Sequence, residues 1–396
     1  MEKVELHKVC KISNGFAFKS EDYLESGIPL LRISNIKDGI VSFADDTICL
    51  SKNYIESKKD FIVEKGDVVI ALSGATTGKY GIYTNDEPSL LNQRIGIIKS
   101  NVSKKLDSKY FYFYLNILKD EILRKAGGAA QPNISTKEIG NLEIPLPSLP
   151  TQQKIATILD KADELRQYNK QLIEKYDALT QSLFLDMFGD PVKNEKGWEK
   201  MELKVVTSKI GSGSTPRGGK EAYHAEGISL IRSLNIYDNE FKYKNLAFID
   251  DDQANKLKNV TVEPNDVLFN ITGASVCRCT VVPNDILPAR VNQHVSILRP
   301  IPDKLNPVYL SHLLISKNIK IQLLGVGSAG GAVMEAITKE QLEKFNPPVP
   351  PIDLQNQFAE RVQLIENQKK QAQEALIKSE DLFQSLLQRA FKGELS

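Results

Sequence analysis

Two stretches of the chain, residues 151–188 and 352–392, run for more than thirty residues without Pro or Gly and carry apolar side chains three and four positions apart. In the first, Ile155, Ile158, Ala162, Leu165, Asn169, Leu172, Tyr176, Leu179 and Leu183 form a heptad seam. In the second, Phe358, Val362, Ile365, Lys369, Ala372, Leu376, Ser379, Phe383, Leu386 and Ala390 repeat the spacing. A seam this long predicts coiled-coil helices, each about 35 residues and roughly 50 Å long at 1.5 Å per residue. Each helix follows a proline-rich break, residues 142–150 and 346–351, and stops at Gly189-Asp-Pro191 or near Gly393. Asn169 and Lys369 interrupt the seams. Such positions are either tolerated polar residues or devices that fix register and orientation at some cost in stability.

Outside the helices the pattern changes to short β-rich runs at residues 30–33, 67–72, 95–98, 267–271 and 295–298, with helical patterns at 108–124 and 307–324. Glycine-rich segments follow at 127–133 and 325–332, where backbone can approach a ligand closely or simply connect elements. These runs recur in order. Gly27-Ile-Pro-Leu-Leu-Arg-Ile-Ser-Asn-Ile36 returns as Gly227-Ile-Ser-Leu-Ile-Arg-Ser-Leu-Asn-Ile236, and Asn92-Gln-Arg94 is answered by Asn292-Gln-His294. The repeat is too long for a solenoid and reads as a duplicated globule-plus-helix unit. The expected boundaries are 1–150 and 191–351 for two mixed α/β (α+β) globules, with helices at 151–190 and 352–396. Duplication favours an antiparallel helix pair with pseudo-two-fold symmetry inside one chain.

Composition narrows the class. The net charge of +1 neither demands nor excludes nucleic acid, so a DNA binder of this balance must segregate its basic side chains on one surface. Four scattered cysteines fit no disulfide framework, and no window is long and apolar enough for a membrane span; a cytoplasmic protein is expected. Motifs for catalysis fall short. Asn346-Pro-Pro-Val349 lacks the aromatic face that would hold a flipped base. Gly74-Ala-Thr-Thr-Gly-Lys79 is one residue short of a P-loop and continues with Tyr80 instead of Ser or Thr. Cys277-Arg-Cys279 has no second ligand pair, and Glu56-Ser-Lys58 and Glu202-Leu-Lys204 lack an upstream acidic partner. No catalytic residue, cofactor or metal is expected.

A set of motifs, weak singly but ordered and doubled, carries a resemblance. They include Gly213-Ser-Thr-Pro216, Lys65-Gly-Asp-Val-Val69, Gln131-Pro-Asn-Ile-Ser135, Ile144-Pro-Leu-Pro147 before Gln152-Gln-Lys-Ile-Ala156, Ser182-Leu-Phe-Leu-Asp-Met-Phe-Gly-Asp-Pro191, and Ser385-Leu-Leu-Gln-Arg-Ala-Phe-Lys-Gly-Glu-Leu395. Together they resemble the specificity subunit of type I restriction-modification systems. The first domain departs from the second at Gly15-Phe-Ala-Phe18, and Val333-Met-Glu-Ala336 replaces the Gln-Pro-Asn-Ile form. The resemblance implies two target-recognition domains on double-stranded DNA with a bipartite target. It also implies docking to two methyltransferase subunits, to which motor-nuclease subunits add. A recognition module of a stand-alone methyltransferase-nuclease is the alternative.

Base edges and phosphates call for Arg, Lys, Asn, Gln, Ser and Thr on loops. Candidates gather where duplicated strands end: Ser73, Thr76, Thr77, Lys79, Tyr80 and Arg94 in the first domain, and Thr272, Ser275, Arg278, Arg290 and His294 in the second. Thr215, Arg217 and Lys220 lie on another loop of the second domain, matched by Lys19 in the first. Domains that read different sequences share their framework and diverge at base contacts. Arg32, Asn35, Asn92 and Gln93, with twins Arg232, Asn235, Asn292 and Gln293, are therefore expected in structural hydrogen bonds or on phosphates.

Overall fold

A computed structural model describes residues 2–37, 39–44, 46–100, 105–127, 132–216, 219, 223–328 and 336–395. The chain forms two compact units, Met1–Lys170 with Gln373–Ser396, and Gln171–Ala372. Each unit therefore contains one globule, part of one long helix and part of the other.

In the first unit, one sheet runs in the order Lys11–Asn14, Ile95–Lys99, Val68–Ala71, Tyr80–Ile82, Ile40–Val41, Ile36–Lys37. Its central strand Val68–Ala71 is buried at every position, as an uninterrupted apolar run requires when both faces are covered. Helix α1 (Ser108–Lys125), capped by the Asp107 carboxylate on Tyr110 N, covers one face. A second sheet, Cys49–Leu50, Ile28–Leu31, Ser89–Leu91, Ile62–Val63, contains the parallel pair of Leu30 with Leu90.

The second unit repeats this plan. Thr207–Ser212, Val295–Pro300, Val267–Asn270 and Cys279–Val281 form one sheet, and Ala247–Ile249, Ile228–Ile231, Ala289–Val291 and Thr261–Val262 the other. A separate hairpin, Ile236–Tyr237 with Glu240–Phe241, corresponds to the last two strands of the six-stranded sheet. The helix expected at 307–324 is broken at Ser316 into α3 (Pro307–Ile315) and a following segment Lys317–Ser328. Cys277 and Cys279 are buried, and burial raises the Cys279 thiol well above its ordinary pKa.

The long helices are α2 (Leu149–Phe188) and α4 (Ile352–Lys392). They pair antiparallel inside each unit. In the first, Arg166 lies over the Phe383 ring at 4.4 Å, Asn169 Nδ2 donates to Ser379 Oγ at 3.3 Å, and Lys170 faces Glu380. In the second, Asp177 pairs with Lys369, and Phe188 packs on Phe358 at 5.3 Å. Both polar interruptions of the seams thus have partners on the opposite helix.

The α4 seam lies where the spacing puts it, but the α2 seam is rotated. Ile155, Ala162, Asn169 and Tyr176 face inward as expected, whereas Leu165 and Leu179 are 46% and 49% exposed. Leu159, Arg166, Ile173 and Thr180, four positions after each inward residue rather than three, fill the seam. Polar side chains can do so because Arg166 stacks on Phe383 and Thr180 Oγ1 donates to the Tyr176 carbonyl.

Each globule is pinned to the helix that follows it by one buried glutamine. Gln152 accepts from Asp107 N and donates to the Lys105 and Pro147 carbonyls. Gln355 accepts from Asn306 N and donates to the Lys304 and Pro350 carbonyls. Beside them, Tyr110 Oη donates to Pro145 O and Tyr309 Oη to Pro348 O. The helix start, the cap of α1 or α3 and the proline-rich exit thereby form one rigid joint in each unit.

Candidate nucleic-acid interface

The strand-end loops of the second unit converge. Thr215 donates to Gln293 Oε1, Gln293 Nε2 meets His294 Nε2 at 3.1 Å, and His294 Nδ1 is hydrogen-bonded to Thr272 Oγ1 at 2.6 Å. This chain of polar side chains links three loops, with Thr215 and Gln293 exposed and His294 half-buried. Behind it, the fully buried Asn270 donates from Nδ2 to the Ser233 carbonyl and to Ser275 Oγ. Asn270 replaces Ala71 of the first copy, and ties two loops to the end of the central strand.

Arg278 is half-buried with its guanidinium 4.5 Å above the exposed face of Tyr237. The loop geometry is shared between units: Cys277 (φ 66°) occupies the left-handed position that Gly78 (φ 82°) holds in the first. Lys79 stands where Arg278 does, and is exposed.

In the first unit Thr76, Lys79, Arg94 and Lys19 are exposed. Ser73 pairs with Asn133 through a backbone bridge. Thr77 is buried, its hydroxyl donating to the Gly74 and Pro132 carbonyls at 2.7 and 2.9 Å, so it shapes the loop from within. Tyr80 is half-buried edge-on to Tyr112 at 5.8 Å, and burial raises its hydroxyl pKa.

Arg290 does not lie on a strand-end loop. It sits within the strand Ala289–Val291, is 8% exposed, and donates from Nε to Ala254 O and from Nη1 to Ala289 O. An arginine can be buried when its fork is filled by carbonyls, here one from the short helix Asp251–Lys256. Arg217 and Lys220 fall outside the described residues, as do parts of both glycine-rich segments.

The shared asparagines hold backbone. Asn35 and Asn235 accept from Arg32 N and Arg232 N, while Asn92 and Asn292 accept from the amides of Arg94 and His294. Sequence reasoning missed Tyr237 as a partner for Arg278 and Asn270 as an anchor. The available signal was that both differ between copies, Lys37 and Ala71 standing at their positions. Among the described residues no group of three His, Cys, Asp or Glu could hold a metal ion, and no helix is long and apolar enough to cross a membrane.

A family model described as the type I restriction modification DNA specificity domain matches residues 1–175 and again 195–379. The chain belongs to this family. Among relatives, it is 25% identical to the type I restriction enzyme EcoBI specificity subunit of Escherichia coli, over 100% of this chain and 86% of that protein. It is also 25% identical to the putative MjaX specificity subunit of Methanocaldococcus jannaschii, over 90% of this chain and 84% of the relative. The type I system S subunit from M. genitalium shares the fold, with a TM-score of 0.59 at 16% identity, covering 98% of this chain and 96% of that one. A chain from a structure on complex assembly and conformational transition of the type I R-M system gives 0.57 at 19% identity, covering 99% and 98%. The matches place this sequence among specificity subunits and give both of its globules the same family assignment.

Proposed function

We propose that each globule reads one half of a bipartite DNA target through its strand-end loops, and that α2 and α4 set the unread gap between the halves. The observation that carries this reading is the pair of matching loop clusters, alike in backbone and divergent in side chain: Lys79 against Arg278, Arg94 against His294, Ala71 against Asn270. Shared asparagines build the loops, whereas the divergent Lys79 and Arg94 are exposed, Arg278 and His294 are half-buried at the surface, and Asn270 braces its loops from within. Arg94 and Lys79 on one unit and the Thr215–Gln293–His294–Thr272 chain on the other supply the donors and acceptors that base edges and phosphates require.

The chain on this reading performs no chemistry and works in the cytoplasm. Two modification subunits dock on it and supply the methyl donor and catalysis, and motor-nuclease subunits add cleavage. The specificity-subunit relatives support this assignment over a stand-alone methyltransferase-nuclease module.

Lengthening both helices tests the ruler. Four helical residues inserted after Lys170 and after Ala372, where the compact units divide, add about 6 Å and about 40° of rotation. A duplex advances about 3.4 Å per base pair and turns about 34°, so the added rotation matches one pair. Methylation mapping should show unchanged half-sites with a gap one base pair longer. Altered half-sites with an unchanged gap would refute the role of the helices.

A further inference from the structure

In the second unit a single aromatic ring stands under the one arginine of its reading loop, and a clamped hairpin holds that ring. The Arg278 guanidinium lies 4.5 Å from the Tyr237 ring centroid, and the Lys242 ammonium approaches the same ring at 5.5 Å. Tyr237 ends the first strand of the hairpin, whose turn is fastened at three points. Asn239 N donates to the carbonyl of Cys279, the residue after Arg278. The Asn239 side chain meets His312 on α3, and Asp238 pairs with Lys320 at 2.5 Å. Among the described residues, neither a hydrogen bond nor an ion pair engages the Arg278 guanidinium. Stacking on an aromatic face fixes the plane of an arginine while leaving its fork free, which lowers the ordering cost of a bidentate contact.

The first unit lacks this arrangement. Lys37 and Lys79 occupy the positions of Tyr237 and Arg278, and both are exposed. An ammonium on a flexible stem suits a phosphate as a point charge, whereas a planar fork suits the O6 and N7 of guanine. The same corner of the two domains is thus built for two kinds of contact.

We propose that Tyr237 is a positioning residue which presets Arg278 to read a guanine in the half-site of the second domain. This rests on the DNA-reading function proposed above. Tyr237 acts through Arg278, and the stack rather than the phenol hydroxyl does the positioning.

The test is selection from a library of randomised duplexes by the full chain assembled with its modification subunits, at two salt concentrations. The native complex should enrich a bipartite motif with a guanine that Arg278→Ala loses, discrimination at that pair falling about 5- to 150-fold. Tyr237→Ala should weaken the preference at the same pair by about 2- to 10-fold, and Tyr237→Phe should restore it. The half-site of the first domain serves as an internal control that the complex is intact. The proposal is overturned if Tyr237→Ala keeps the full guanine preference that Arg278→Ala abolishes, or if Tyr237→Phe behaves like Tyr237→Ala. It is equally overturned if Arg278→Ala lowers binding to every sequence with a shallower salt slope, the behaviour of a phosphate contact. A native complex that enriches no motif would refute the DNA-reading function itself.

Discussion

Asn239 and His312 lock the hairpin of the second unit to the helix behind it. The Asn239 amide nitrogen lies 3.0 Å from Nδ1 and 3.1 Å from Nε2 of the imidazole, and the imidazole in turn packs edge-on against Phe358 of α4. The first unit solves the same junction with a different pair. Gly39 takes the place of Asn239 and Phe113 that of His312, and the space is filled by the neighbouring Tyr112, at the position of Ser311, whose hydroxyl would lie 2.2 Å from a Cβ on Gly39. A tyrosine on the helix of the first unit is thus met by a glycine on the hairpin, where the second unit has a serine and an asparagine. Both turns are left-handed at this position, at φ 81° and 51°, which glycine and asparagine tolerate best.

The lock makes stability depend on pH. Burial, with a smaller contribution from Lys369, lowers the His312 pKa to about 4, against about 6.5 for an unhindered imidazole. The native state keeps this ring neutral, so unfolded chain binds the extra proton between those values. Its contribution is therefore full above about pH 6.5 and is lost as pH falls towards 4. From pH 7 to pH 5 the native protein should lose about 2 kcal/mol more than a His312→Gln variant does. Calorimetry of both proteins across that range checks this, and equal losses would show that the imidazole is not held neutral.

The glutamine pins predict a second effect. Gln355→Ala leaves Asn306 N and the carbonyls of Lys304 and Pro350 without their partner. Unsatisfied buried groups of this kind cost about 2–4 kcal/mol together. Gln152→Ala should cost a similar amount in the first unit. Hydrogen exchange should quicken at the joint of the altered unit only, and unchanged protection of the Asn306 amide in Gln355→Ala would count against the pin.

Much of the architecture was legible in the sequence because duplication wrote each element twice. The breaks at 142–150 and 346–351 marked where helices begin, and the α4 seam followed its apolar residues. The α2 seam did not, because leucine marks apolarity but not direction. Leu165 and Leu179 point outward while Arg166 and Thr180 turn in, each satisfied by a contact that only the folded pair supplies. The reading loops follow from comparing the copies, yet Arg290, expected among the residues where duplicated strands end, lies within a strand. Burial with carbonyl partners cannot be told from a free arginine by local pattern alone. Tyr237 differs between the copies, but that difference alone does not reveal its role, which depends on a loop some forty residues away.

On the function proposed above, one chain specifies a two-part DNA target. Mapping methylated bases in host DNA, with and without this gene, tests it most directly. A single motif of two defined half-sites separated by a fixed unread gap should be methylated, and only when the gene is intact. Methylation that persists without the gene, or a motif with no gap, would contradict it.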